Sequence, residues 1–133
     1  MRINKQDKKL FIYGKEFTAS TTMQSMLGIE GIGKLALIVD NNDWKTLSFV
    51  PNDIELDGAL ATNFVFYKQK IRTINIVPKD SDMPEELFRN IFLQLTGLNI
   101  NQTYIPMNWG NIEYCLDIKN MYYSIIVNFT LPL

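Results

Sequence analysis

Asn111-Ile112-Glu113-Tyr114-Cys115-Leu116-Asp117-Ile118, then Lys119-Asn120-Met121, then Tyr122-Tyr123-Ser124-Ile125-Ile126-Val127-Asn128-Phe129, reads as a β-hairpin. Ile112, Tyr114, Leu116 and Ile118 alternate with Asn111, Glu113, Cys115 and Asp117. Tyr123, Ile125, Val127 and Phe129 alternate with Tyr122, Ser124, Ile126 and Asn128. A repeat of every second residue places one set against a core and the other on the opposite face. The polar triplet between the two runs turns the chain, and a short turn requires antiparallel pairing.

The same pattern recurs upstream. Leu35-Ala36-Leu37-Ile38-Val39, the turn Asn41-Asn42-Asp43 and the run Trp44 to Val50 form a hairpin. Asn63-Phe64-Val65-Phe66-Tyr67, the turn Lys68-Gln69-Lys70 and the run Ile71 to Val77 form another. Lys9-Leu10-Phe11-Ile12-Tyr13 reads as a first strand ended by Gly14. Two helices are expected. Thr18, Ser20 and Thr21 are cap candidates for a short helix carrying Met23, Met26 and Leu27, closed by Gly28. The second helix has Asp82 and Glu85 as a capping pair and Pro84 in its first turn. It carries Leu87, Ile91 and Leu95 at helical spacing with Phe88 and Phe92 beside them, and Gly97 closes it. The expected class is α+β: a mostly antiparallel sheet of about six or seven strands built of hairpins, with both helices packed on one face. A chain of 133 residues is the usual size of one domain, here residues 1–133.

Composition narrows the chemistry. The chain has no histidine and one cysteine, Cys115. A histidine-based triad and a cysteine-based zinc cluster are therefore excluded, as is an internal disulfide. The 13 basic and 14 acidic residues nearly cancel, so no nucleic-acid partner is expected. No apolar run is long enough to span a bilayer. Met1 to Lys9 lacks the apolar stretch of a secretory signal, which points to the cytoplasm.

Several motifs fail on inspection. Gly28-Ile29-Glu30-Gly31-Ile32-Gly33-Lys34 has the glycine and lysine spacing of a phosphate loop. Leu35, however, stands where Ser or Thr should hold magnesium, and the helix precedes the loop instead of following it. Asp53-Ile54-Glu55-Leu56-Asp57-Gly58 imitates a calcium loop, but Phe64 stands where the closing Glu is needed. Glu85 and Glu86 suit a helix N-terminus. No cofactor and no metal are expected, and no catalytic residue is assigned. Tyr122 and Tyr123 are adjacent and must point to opposite faces of their strand. One ring therefore leaves the covered side, close to acids. Trp109, Glu113, Asp117 and Tyr122 are the candidate partner-binding residues.

The stretch Trp109-Gly110-Asn111-Ile112-Glu113-Tyr114 to Ser124-Ile125-Ile126-Val127 resembles the closing hairpin of short bacterial α+β proteins. Phe66-Tyr67-Lys68-Gln69-Lys70-Ile71 is similar to their middle hairpin. The helix-plus-sheet layout resembles bacterial inhibitor and immunity proteins. That resemblance implies a non-enzymatic protein-binding module, an immunity-type inhibitor that neutralises a toxin. The residues leave two other readings open. One is a small carboxylate-dependent hydrolase or ligand-binding domain with a cleft between helices and sheet. The other is a structural subunit of a larger assembly.

Overall fold

The computed structural model describes residues 2–3, 9–12, 15–26, 33–51, 60–80, 82–98, 104–117 and 122–130, with only the backbone of Asp117 and Tyr122. The expected glycine connection at 28–32, the acidic loop at 53–58 and the turn at 119–121 lie outside the described residues. Ten strands and one helix follow in order: β1 (Arg2–Ile3), β2 (Leu10–Ile12), β3 (Lys15–Phe17), β4 (Gly33–Asn41), β5 (Trp44–Pro51), β6 (Leu60–Tyr67), β7 (Lys70–Pro78), α1 (Glu85–Thr96), β8 (Tyr104–Met107), β9 (Gly110–Asp117) and β10 (Tyr122–Phe129).

Seven strands form one sheet in the order β4-β5-β6-β7-β10-β9-β8, and every neighbouring pair is antiparallel. The order follows from hairpin chemistry plus one long crossing. β4 to β7 run side by side as successive antiparallel neighbours, and so do β8 to β10. The chain passes from β7 to the far edge through α1, then returns so that β10 seals against β7. The crossing spans about three strand spacings, roughly 14 Å, and a helix of this length rises roughly 18 Å.

Alternation sets what the sheet buries. β6 alternates buried and half-buried along its length, with Leu60, Thr62, Phe64 and Phe66 inward. In-register neighbours carry the same face across the sheet: Leu47 pairs with Phe64, Phe64 with Ile74, Ile74 with Val127 and Val127 with Ile112. Those side chains join Phe88, Ile91 and Phe92 of α1 in one buried cluster with Ile3, Leu10, Ile12 and Phe17. Strands β1 to β3 form a separate three-stranded sheet. Its Phe17 ring stacks on Phe64 at 5.4 Å and 7°. The small sheet and α1 thus cover one face of the large sheet.

Three expectations are corrected. The helix expected over Met23, Met26 and Leu27 is a single 3₁₀ turn at residues 23–26, so among the described residues one α-helix packs on the sheet, not two. Local competition explains this. Thr18 N donates to Thr21 Oγ1, Ser25 Oγ donates to the Thr22 carbonyl, and Met23 N donates to the Gln69 carbonyl across the structure. A short helix cannot offset its nucleation cost when its backbone groups already have partners.

The first strand, near residues 9–13, does not enter the main sheet. It is β2 of the small one, and the seventh place in the large sheet is taken by β8, which the pattern missed. Finally, α1 starts after Pro84 with no side-chain cap, while Gly97 closes it in the left-handed conformation as expected. Asp82 does not cap the helix; its N–H instead bonds to Asp80 Oδ1. The helix is also rotated from the expected stripe. Phe88, Ile91, Phe92 and Thr96 are buried, whereas Leu87 is 48% exposed. Burying the two rings removes more apolar area than burying Leu87 would.

Candidate functional site

One face of the seven-stranded sheet is covered and, among the described residues, no element packs on the other. The uncovered face is built from the positions between the core residues. Ser48, Asn63 and Asn75 lie in register across β5, β6 and β7. Asn75 continues to Ile126, and Ile126 to Glu113. The neighbouring row runs Thr46, Val65, Thr73, Asn128, Asn111. Its polar side chains bond to one another: Thr73 Oγ1 donates to Asn128 Oδ1 at 3.4 Å, and Asn128 Nδ2 donates to Asn111 Oδ1 at 2.9 Å. Asn75 Oδ1 is buried without a hydrogen-bond partner. These rows form a half-buried surface on which Val65 and Ile126 stand among polar side chains.

The backbone register spreads the four candidate positions along the β9–β10 hairpin. Glu113 is half-buried on the uncovered face, opposite Ile126. The backbone register pairs Tyr122 with Asp117, four positions further along each strand. Trp109 sits in the turn before β9, half-buried with its ring on Phe129 at 5.2 Å, and it packs against the core cluster. Its carbonyl accepts bonds from Thr130 N at 3.0 Å and Thr130 Oγ1 at 3.1 Å. Cys115 is half-buried, in register with Ser124.

The interface between helix and sheet is filled by Phe88, Ile91 and Phe92. At its rim stands a polar cluster that the sequence reading missed. Glu85 Oε1 accepts from the Tyr114 hydroxyl at 2.6 Å and from Arg89 Nε at 2.6 Å. The Arg89 guanidinium lies over the Tyr114 ring at 4.7 Å from its centroid. The spacing of Glu85 and Arg89, one helical turn apart, is legible in sequence; the partnership with a strand residue is not. The Tyr114 hydrogen bond, with help from Arg89, holds the Glu85 carboxyl below its usual range. A carboxyl held in its charged form suits an anchoring contact better than a general acid. The Tyr123 hydroxyl, on the neighbouring strand β10, donates to the Met83 carbonyl, tying that strand to the segment before α1. No group of His, Cys, Asp and Glu able to hold a metal occurs among the described residues. No described helix is long and apolar enough to cross a membrane.

Burial, reinforced by Glu85, pushes the Tyr114 hydroxyl up to about 12. The folded state therefore holds this proton more tightly than the unfolded chain, whose tyrosines titrate near ~10. The resulting stability is complete below that value and is lost as pH rises through the folded one. Tyr114→Phe should cost about 1–2 kcal/mol at neutral pH and flatten the alkaline decline in stability. Urea unfolding at neutral and strongly alkaline pH tests both; a variant with the parent's alkaline slope would assign the decline to other groups.

No protein-family model matches the chain, and no curated protein matches it in sequence. Among solved structures, the chain is similar to one from a complex described as Rhs1-CT in complex with cognate immunity protein RhsI1. The TM-score is 0.60 at 13% identity, over 97% of this chain and 86% of that one. At that identity the likeness is one of fold, and it extends over nearly the whole of this chain.

Proposed function

We propose that this chain is a single-domain, non-enzymatic immunity-type inhibitor that binds a toxin protein and blocks its action. The observation that carries the reading is the fold likeness, over nearly the full chain, to a member of a complex containing an immunity protein. The uncovered sheet face agrees with it. It carries half-buried polar side chains interspersed with Val65 and Ile126, a mixture of the kind that protein interfaces bury. Phe88, Ile91 and Phe92 are buried between helix and sheet, where a hydrolase reading would place its cleft.

The test is protection. A candidate toxin protein from the same source is induced in cells with and without the chain, and the purified pair is then titrated. Restored growth and a stoichiometric complex support the reading. Toxicity from this chain expressed alone would assign it the other role in such a pair and overturn the proposal.

Within the complex, the proposed contact region includes Trp109, Glu113, Asp117 and Tyr122. The Trp109→Ala/Tyr122→Ala double variant should weaken binding by at least about 2 kcal/mol, as hot-spot rings do. Trp109 also props the core through Phe129, so its thermal stability must be measured alongside. Unchanged affinity in a folded double variant would place the interface elsewhere.

A further inference from the structure

At one end of the uncovered face, two turns bring an aromatic pair and three cations together. Register places Trp44 beside Tyr67 and Tyr67 beside Lys70. The Trp44 and Tyr67 rings are 4.7 Å apart, and Trp44 remains 47% exposed. Lys68 Nζ lies 5.4 Å from the centre of the Tyr67 ring, and the Arg72 guanidinium 5.1 Å from it.

Two features of this corner work against stability. The β6–β7 hairpin turns through Lys68 at φ 49° and Gln69 at φ 71°, where Asn-Gly is the favoured pair. Other elements hold that strained turn in place: Lys68 N donates to the Asp43 carbonyl, Met23 N to Gln69 and Ile71 N to Thr21. Arg72 is the extra residue of a β-bulge, since Val65 pairs with Thr73 while Phe66 pairs with Ile71; a bulge re-aims a side chain. Arg72 Nε is also buried without a partner, which costs stability. Strain and an unsatisfied donor gathered around one exposed ring mark a functional surface.

We infer that this corner takes up an acidic segment of the protein partner, an inference that rests on the inhibitor reading above. Charge complementarity identifies the occupant. The neighbouring turn, Asn41-Asn42-Asp43, carries one carboxylate, and no carboxylate among the described residues is paired with Lys68, Lys70 or Arg72. Trp44 supplies a flat apolar seat beside them. A nucleic acid fits less well. The cations are confined to one corner of a face that also carries Glu113, on a chain of net charge −1, whereas backbone tracking needs an extended basic groove.

The test titrates a fluorescein-labelled poly-glutamate peptide against the purified chain, with oligothymidylate as the competing probe. Lys68→Glu/Lys70→Glu should weaken peptide binding at least about tenfold. Lys68→Asn/Gln69→Gly should raise the melting temperature yet also weaken binding, which a purely structural turn would not do. Equal binding by parent and variants, no binding by the parent, or tighter binding of oligothymidylate would overturn the inference. In the growth assay the charge-reversed variant should lose protection, and intact protection would also overturn it. If the parent chain fails to protect, the inhibitor reading falls, and the peptide titration then decides the corner by itself.

Discussion

Gly110→Ala should destabilise the protein by about 3 kcal/mol or more, enough to leave much of the chain unfolded at moderate temperature. Gly110 opens β9, where φ is +155°. A Cβ built there would stand 1.8 Å from the Asn128 carbonyl oxygen and 2.9 Å from the Asn128 carbonyl carbon. Both are backbone atoms of the paired strand, so no rotamer change relieves the overlap; β9 and β10 must separate. That opening would fall where Asn111 pairs with Asn128 and Gly110 with Phe129. It would also loosen the Trp109 ring, which rests on Phe129. A glycine inside a strand often marks such a close approach. Urea unfolding of the variant is the measurement. A loss below about 1 kcal/mol would show that the two strands part at little cost.

Phe64→Ala should cost about 3–5 kcal/mol, the range for deleting a buried ring. Phe64 is fully buried, lies between Leu47 and Ile74 in register, and meets Phe17 of the small sheet in a stacked contact. The ring therefore links the two sheets as well as filling space. Its loss should raise amide exchange in β2 and β3 more than in β9, because the small sheet loses one of its anchors. Val65→Ala, one residue along and on the uncovered face, should cost under about 1 kcal/mol. Similar costs at both positions would mean that a partner or another copy covers the second face.

The hairpins were legible because period-two alternation is local. Ile112, Tyr114, Tyr123, Ile125, Val127 and Phe129 are buried, as their spacing predicts, whereas Leu116 of the same stripe is 43% exposed. The turns at Asn42 and Lys68-Gln69 stand where polar clusters interrupt the alternation. Gly97 closes α1 because a left-handed residue is needed there and glycine adopts it at no steric cost. β8 escaped notice because Tyr104-Ile105-Pro106-Met107 is short and contains a proline, which a sheet tolerates at an edge. Met23 and Met26 stand at helical spacing, but the Met23 N–H bonds to the Gln69 carbonyl of the β6–β7 turn, and no local pattern encodes that contact.

By itself the sequence determined the α+β class, the antiparallel pairing, the strands' inward faces and the absence of histidine-based chemistry. Those depend on residue type and on neighbours a few positions away. Only the tertiary structure decided the order in which the hairpins join, that β10 closes against β7, that β8 takes the edge, and that β1 to β3 form a second sheet. It also decided that Glu85 meets Tyr114 across 29 positions and that Trp44 meets Tyr67 beside Lys68 and Arg72. Such meetings are set by which apolar faces bury most area together. That is a property of the whole chain, and no window of sequence contains it.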